Sequence, residues 1–257
     1  MPGLVPGIHV FSLRGTKDVD GRDKPGHDNK REWETNKMPI AGQGMLLTSM
    51  DIDKAHEAEF NRWYDREHLE ERVAIPGFIE ARRYVAEEGA PKYLSLYSTE
   101  TFEVLDSPAY RAALANQTDW SKANIARFKN MIRSVARITI SRGKGRGAWL
   151  GVIRLRPVRG KEDELRALLF DALDPKGLDG IISMHLLESD PALSKPLTDK
   201  ASNPGAGDWF WLIDHTDAEP PGFIARRLPS CEPLMAQVVS VGSYRLLWDI
   251  SKGEIPA

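Results

Sequence analysis

Residues 60–84, FNRWYDREHLEERVAIPGFIEARRY, decide the fold because they contain a helix, its stop signal and the strand that follows. Apolar residues recur at helical spacing in the first part of this stretch. Ile75-Pro76-Gly77 ends the helix, because proline disfavours the helical conformation of the residue before it. The side chains then alternate, as is typical of a strand. We predict a helix capped by Asp53 and running to about Val73, and a strand from Phe78 to Val85.

The elements around this stretch complete a βαββαβ unit. The other strands expected in it are Gly44–Met50, Tyr93–Ser98 and Val135–Ser141, with a polar turn at 87–90. Ser107-Pro108 signals a further helix, because serine caps a helix and proline suits its first position. We expect helices from there to about Arg133.

The same order of elements restarts after a glycine-rich linker at 143–147. We expect strands at 148–155, 180–187, 209–214 and 244–250, and a helix at 161–172. Gly77-Phe78-Ile79 and Gly180-Ile181-Ile182 both open the second strand of their half. The sequence therefore predicts an α+β fold: two tandem ferredoxin-like βαββαβ repeats, residues 44–142 and 148–252, packed sheet to sheet as a pseudo-dimeric α+β barrel.

Residues 1–43 show no such pattern, and their dense Gly-Pro pairs predict a disordered extension. MPGLVPGIHV…KDVDGRDKPGHD also resembles the translation of a repetitive DNA element found fused to bacterial reading frames. On that resemblance Met38 or Met45 is an alternative start to Met1.

The composition excludes several classes of function. Lys and Arg total 35 against 37 Asp and Glu, and this balance gives no basic surplus for nucleic acid or an anionic membrane. No apolar run approaches the roughly 18 residues of a membrane span. The single cysteine, Cys231, cannot form an internal disulfide and is expected to be structural. We expect a cytoplasmic protein that is a monomeric pseudo-dimer or a homodimer.

Strand alternation separates a helix-facing side from a barrel-facing side. The residues expected under the helices are Ile79, Ala81, Val85, Leu94, Leu96, Ala136, Ile138 and Ile140. Those expected to face the barrel lumen are Phe78, Glu80, Arg82, Tyr84, Tyr93, Ser95, Tyr97, Val135, Arg137 and Thr139. Aromatic walls with a few polar groups are typical of a ligand pocket. A solvated sheet face and a polar subunit interface are the two alternatives.

Residues 60–84 resemble an uncharacterised EthD-like family of the dimeric α+β barrel superfamily, which carries an aromatic-x-x-x-His signature in its first helix. SPAY at 107–110 and NQTDW at 116–120 fit the same family pattern. The superfamily includes cofactor-free monooxygenases, lactone isomerases, haem-handling proteins and accessory proteins. The resemblance therefore implies a fold more than a reaction.

The residue at the centre of this signature is His68, which can move a proton near neutral pH. Tyr64 and Arg72 lie one helical turn before and after it, and Asn61 extends the same stripe. We expect His68 as the general acid or base, with Tyr64 and Arg82 orienting the substrate. The expected substrate-binding residues are Asn61, Arg72, Tyr84, Tyr93, Tyr97 and Arg137. The alternative is that His68 only caps the helix or pairs with nearby glutamates.

The leading hypothesis is a small-molecule enzyme of isomerase, lyase or monooxygenase type, without a tightly bound cofactor, acting on an aromatic, lactone or keto-acid compound. The alternatives are a small-ligand or haem-binding accessory protein, with haem held by His68, and a structural pseudo-dimer. No third ligand is placed for a metal at His68. His185 occupies the position of Arg82 in the second half, and residues 188–208 are either a lid or an insertion.

Overall fold

The computed structural model describes residues 40–172, 174–195, 206–217 and 235–255. Its strands are β1 (Gly44–Asp51), β2 (Phe78–Glu88), β3 (Tyr93–Thr99), β4 (Lys129–Gly143), β5 (Trp149–Pro157), β6 (Ile181–Ser189), β7 (Trp209–His215) and β8 (Ala236–Ser251). They form a closed antiparallel barrel in the order β1-β3-β2-β8-β5-β7-β6-β4. Most of the predicted N-terminal extension, together with Cys231, lies outside the described residues, so both expectations stay predictions.

Each half of the chain supplies four neighbouring strands. The first half contributes β4-β1-β3-β2 and the second contributes β8-β5-β7-β6, and pairing of β2 with β8 and of β4 with β6 closes the wall. Closure leaves no strand edge open within the barrel. The predicted α+β barrel of two packed halves is confirmed.

The helices of the first half are α1 (Glu57–Trp63), a π-helical stretch (Tyr64–His68), α2 (Leu69–Ala74), α3 (Pro108–Ala115) and α4 (Asp119–Ile125); α5 (Glu162–Ala172) belongs to the second half. The Oγ of Ser107 accepts the Tyr110 amide at 3.2 Å, so this predicted cap is confirmed. Asp53 forms no side-chain cap. The helices end before the predicted Arg133, because β4 begins at Lys129.

The turn between α2 and β2 depends on Gly77, which has a φ of +84°. This left-handed conformation is unfavourable for residues with a Cβ. A Cβ at Gly77 would also lie 2.6 Å from a methyl group of Val104. The Pro76-Gly77 pair therefore turns the chain from the helix layer into the sheet.

Three apolar clusters fill the part of the chain that the structure describes. The lumen cluster includes Met45, Leu47, Tyr84, Leu94, Leu96, Ala136, Ile138, Leu150, Phe210 and Leu212. The first helix–sheet cluster includes Leu46, Met50, Phe60, Trp63, Tyr64, Phe78, Ala81, Tyr93, Tyr97 and Val135. The second helix–sheet cluster includes Ile153, Leu165, Leu169, Met184, Trp209, Trp211 and Ile213.

These clusters correct the predicted faces of β3 and β4. Tyr93 and Tyr97 lie under the helices, whereas Leu94 and Leu96 face the lumen. On β4 the predicted lumen residue Val135 lies under the helices, and Ala136 and Ile138 face the lumen. Tyr93 finds an aromatic partner under the helices, since its ring centroid lies 4.9 Å from that of Phe60, and the leucines pack in the lumen cluster.

The predicted faces of β2 are correct for most of the strand. Tyr84 belongs to the lumen cluster and Ala81 to the first helix–sheet cluster. Phe78 was expected in the lumen but lies under the helices, because a register shift interrupts the strand between Phe78 and Glu80.

Replacing Leu96 with alanine tests the burial of this side chain, which is 2% exposed. We expect the free energy of unfolding, measured by urea denaturation, to fall by about 2–5 kcal/mol, because a cavity forms in a packed core. Leu247→Ala is the control, since Leu247 is 38% exposed, and should change stability by less than about 0.5 kcal/mol. An equally small effect of Leu96→Ala would contradict this burial.

Candidate functional site

The π-helical stretch brings His68 into the layer between the first helix and the sheet. The imidazole is 8% exposed. Its ring centroid lies 4.1 Å from that of Trp63, 5.1 Å from that of Tyr64 and 6.3 Å from that of Tyr97. π-Helical turns inside α-helices occur frequently at functional sites.

A row of polar residues crosses the sheet on the same side as this layer. Thr48 pairs with Arg133 on one neighbouring strand and with Ser95 on the other, and Ser95 pairs with Arg83. Since Thr48 lies between Leu46 and Met50 of the first helix–sheet cluster, alternation points its side chain toward the helices. We call Arg133, Thr48, Ser95 and Arg83 the polar row.

Several side-chain atoms of this layer are buried without a hydrogen-bond partner among the described residues. They are Thr48 Oγ1, Ser95 Oγ, Tyr97 Oη, His68 Nδ1, Arg72 Nη1 and Arg83 Nε. Most buried polar atoms in folded proteins have a partner, and an exception requires an explanation such as a ligand or water. The concentration of six such atoms in one layer marks this layer as the candidate site.

Burial sets the protonation states of the two titratable groups that face each other in this site. Desolvation, followed by the charges of Arg72 and Arg83, holds the pKa of His68 well below its usual value. Desolvation also raises the pKa of Tyr97 well above its usual value. At neutral pH the imidazole is therefore uncharged and the phenol keeps its proton.

Arg83 of β2, which is not among the predicted site residues, packs against the π-helical stretch from the sheet side. Its guanidinium lies 4.2 Å from the ring centroid of Tyr64 and donates to Asp65 at 3.0 Å and to Asn61 at 2.5 Å. A desolvated cation–π contact contributes about 2 kcal/mol. Asn61 in turn donates to the hydroxyl of Tyr93 at 3.3 Å, so both predicted residues belong to the support of the site.

Glu67 joins the π-helical stretch to α4. Its Oε1 accepts hydrogen bonds from Thr118 at 2.6 Å and Ser121 at 3.1 Å, and Trp63 Nε1 lies 3.3 Å away. Thr118 also caps α4 by accepting the Ser121 amide at 3.0 Å. The carboxylate therefore connects the π-helical stretch that carries His68 to α4.

The two further motifs that fit the family pattern build the helices over the site. In SPAY, Ser107 caps α3 and the hydroxyl of Tyr110 accepts from Arg133 at 3.3 Å. In NQTDW, Thr118 caps α4 and Trp120 donates to Glu59 at 2.7 Å. Both motifs thus have a structural role in closing the layer.

A segment of the second half covers the Arg133 end of the polar row. Arg133 donates to the carbonyl of Leu193 at 2.5 Å, and Ser194 accepts the amide of Val135 at 2.9 Å. Leu193 also packs against the first helix–sheet cluster. This segment is part of the predicted lid at 188–208; residues 196–205 lie outside the described residues, so the lid stays a prediction.

Three predicted site residues lie away from His68. Arg82 and Tyr84 are on the lumen side of the sheet, where Arg82 donates to Glu80 at 2.7 and 3.0 Å. Arg137 is on the surface, with its guanidinium 3.7 Å from the ring centroid of Phe102 and an ion pair to Glu103. Arg83 contacts Tyr64 on the helix side of β2, and its neighbour Arg82 points to the opposite face because strand side chains alternate. The structure therefore does not bring Arg82 together with His68 and Tyr64.

The residues around His68 do not fit a haem ligand. The aromatic rings within 4.1–6.3 Å of the imidazole would have to move before a porphyrin could approach it. Histidines that ligate metals almost always donate their second nitrogen to a partner, whereas Nδ1 of His68 has none among the described residues. The described residues also contain no group of three His, Cys, Asp or Glu side chains that could hold a metal ion.

The low pKa of His68 makes stability depend on pH. Below about pH 6.5 the unfolded chain binds a proton that the folded protein does not, so stability falls as the pH drops through that value. Between about pH 7 and about pH 5 we expect the free energy of unfolding of His68→Gln to fall less steeply than that of the wild type. The two slopes should differ by up to about 1.4 kcal/mol per pH unit. Urea denaturation at several pH values measures this.

His56→Gln is the matched control, because His56 is exposed near the start of the same helix. It should keep the fall in stability toward low pH that His68 causes, because His68 is unchanged in this variant. His68→Gln and wild-type curves of equal slope would contradict a neutral, buried His68.

Sequence comparison finds no family model and no curated protein that matches the chain. Among solved structures, an anthrone oxidase-like protein is similar with a TM-score of 0.56 and 12% identity, over 86% of this chain and 98% of that one. A proposed monooxygenase from Lactobacillus acidophilus has a TM-score of 0.50 and 8% identity, over 82% and 97%. A proposed chlorite dismutase has a TM-score of 0.50 and 11% identity, over 84% and 98%.

These likenesses cover almost the whole of each neighbour, and identities of 8–12% show the fold alone. No helix in the described ranges is long and apolar enough to cross a membrane. The barrel topology and these neighbours together give one conclusion. The chain has the fold of the dimeric α+β barrel superfamily.

Proposed function

We propose that the protein is a small-molecule enzyme that acts without a tightly bound cofactor on an aromatic, lactone or keto-acid compound. The substrate lies between the π-helical stretch and the polar row. One observation carries this proposal: a neutral, buried imidazole with an unpartnered Nδ1 stands in the same layer as a protonated phenol and a guanidinium nitrogen without a partner.

These groups support proton transfer as the first chemical step. His68 takes a proton from a carbon beside a carbonyl, or from a phenol hydroxyl, and becomes imidazolium. The electron pair left behind places negative charge on the substrate oxygen. Tyr97 donates a hydrogen bond to that oxygen and Arg72 supplies positive charge, an arrangement that stabilises an oxyanion. Tyr97 can donate because burial keeps it protonated.

The composition of the layer favours an aromatic substrate with several polar groups. The rings of Phe60, Trp63 and Tyr64 line the helix side and that of Tyr97 rises from the sheet, and aromatic rings stack or meet edge to face. On the sheet side Thr48 and Ser95 offer hydroxyls without partners. A flat ring bearing oxygen substituents matches both surfaces.

Substrate access requires α4 to move, because His68 is 8% and Tyr97 is 1% exposed. This movement breaks the contacts of Glu67 with Thr118 and Ser121, and also the hydrogen bonds of Trp120 with Glu59 and of Trp63 with Ser121. α4 has only seven residues, and so short a helix is marginal by itself. We infer that α4 moves away from α1 to admit the substrate to the layer around His68.

The finer family and assembly assignments are also proposals. The motifs in 60–84, 107–110 and 116–120 support membership of the EthD-like family. The matching strand orders of the two halves support an origin by tandem duplication and a functional monomer, since both sheets are present in one chain.

The unpartnered polar atoms of the layer support a second candidate function, a protein that binds a small compound without transforming it. In that case the unpartnered atoms hold the ligand and no proton is exchanged. The two functions differ in one measurable property, turnover, so one experiment separates them.

Hydrogen exchange into phenylpyruvate tests the proposed base. This keto acid carries an aromatic ring and an acidic C–H beside its carbonyl, and in D₂O its benzylic protons are replaced when a base removes them. We expect the wild-type protein to accelerate exchange, followed by NMR. His68→Ala should abolish the acceleration, and Tyr97→Phe should reduce it by roughly 10²-fold, as expected for loss of one oxyanion donor.

His56→Ala, at an exposed histidine outside the site, should exchange at the wild-type rate. Quenching of tryptophan fluorescence by phenylpyruvate without any accelerated exchange would favour the binding protein. Neither quenching nor exchange with this compound or with 1-naphthol, or exchange unaffected by His68→Ala, would refute the site.

A further inference from the structure

A second cluster of reactive side chains lies on the lumen side of the sheet, where the two halves meet at β4 and β6. Ser141 Oγ is 2.8 Å from Nδ1 of His185, its partner across this strand pair. On the other side of the ring, Nε2 lies 3.1 Å from Ser183 Oγ and 3.5 Å from Oδ2 of Asp214. Ser183 Oγ is 3.3 Å from the same carboxylate oxygen.

The partners determine which nitrogen of His185 carries the proton. Burial lowers the pKa of His185, so the ring is neutral and has one N–H. A carboxylate only accepts hydrogen bonds, so the nitrogen facing Asp214, Nε2, is the donor. Nδ1 is then the acceptor for the hydroxyl proton of Ser141. A serine hydroxyl bonded to an unprotonated imidazole nitrogen is the arrangement that activates a nucleophile.

Asp214, at the other end of this chain of hydrogen bonds, is fixed by burial and by its own contacts. His185 and Asp214 are fully buried. The backbone amide of Gly147 donates to Oδ1 of Asp214 at 3.1 Å, and Arg82 lies 3.9 Å from Oδ2. The carboxylate therefore orients His185 and stabilises the imidazolium that proton transfer would create.

The serine end of this chain of hydrogen bonds is the one that solvent reaches. Ser141 is only partly buried and lies near the end of β4, next to the glycine-rich linker at 143–147. A reagent of small size can therefore reach the hydroxyl while the base behind it stays shielded from water. Ser141 is partly exposed while His185 and Asp214 are fully buried. This combination is what a nucleophile needs in order to react with a substrate from solution.

We propose that Ser141 is a nucleophile activated by His185, with Ser183 and Asp214 as positioning residues, and that it accepts acyl groups from small activated esters. This site is independent of the one at His68. In the step, Ser141 Oγ attacks the ester carbonyl carbon and its proton passes to His185 Nδ1. A new C–O bond forms to serine, the bond to the leaving alkoxide or phenoxide breaks, and the acyl group remains on the protein.

The surrounding backbone limits the rate of this chemistry. The amide of Lys144 is donated to the Ile182 carbonyl at 3.2 Å and that of Gly147 to Asp214. Neither can stabilise the oxyanion of the addition step. We therefore expect one acyl group to be transferred per chain and to be released slowly.

p-Nitrophenyl acetate is the probe for this site, used with the full chain. We expect a burst of one p-nitrophenolate per chain, and peptide mass spectrometry should find the acetyl group on Ser141. Ser141→Ala and His185→Gln should remove the burst. Ser183→Ala should slow it by roughly 10²-fold and shift its pH profile, because His185 loses part of its orientation, whereas a purely structural role would leave the profile unchanged.

Ser251→Ala is the matched control, because this hydroxyl bonds to the carboxylate of Glu254 and has no imidazole partner. It should show the wild-type burst. Acetylation of wild-type protein only at lysines, or no acetylation of Ser141, would overturn the proposal whatever the folding of the variants. A burst that survives in a folded His185→Gln protein would overturn the role of the base.

Discussion

Closure of the strand wall through the β2–β8 and β4–β6 pairs commits one face of every strand to the barrel interior. Apolar side chains, most of them aliphatic, form the lumen cluster there. The polar groups of the two candidate sites lie around this cluster: in the layer under the first helix, and at the end of the lumen where charged groups find partners. Both places depend on the closed wall, which separates the helix layer from the lumen.

The two sites satisfy their buried charges in different ways. In the helix layer Arg83 is held by aromatic rings, Asp65 and Asn61, and the neighbouring hydroxyls are left without partners. At the lumen end Arg82, Glu80 and Asp214 compensate one another. A buried charge without such compensation would cost several kcal/mol. The first arrangement leaves capacity for a polar ligand, and the second has the partly buried Ser141 at its outer end.

Element order could be predicted from the sequence because its signals are local. Pro76-Gly77 and Ser107-Pro108 act within a few residues of themselves. The faces of β3 could not be predicted, because its alternating tyrosines and leucines suit either side, and only the pairing with β1 and β2 decides between them. The expectation of a site in the lumen favours Arg82, whereas His68 and Tyr64 lie in the helix layer, on the side of its neighbour Arg83. The π-helical stretch has no known sequence signal, yet it sets the position of His68.

The contact of Leu193 and Ser194 with β4 has an evolutionary consequence. In an assembly of two identical chains every substitution appears twice, so a loop cannot become a cover for one site without also covering the other. A single chain that carries both halves escapes this symmetry. One half can lose its reactive helix and specialise in sheltering its twin, and selection can then refine the two halves separately.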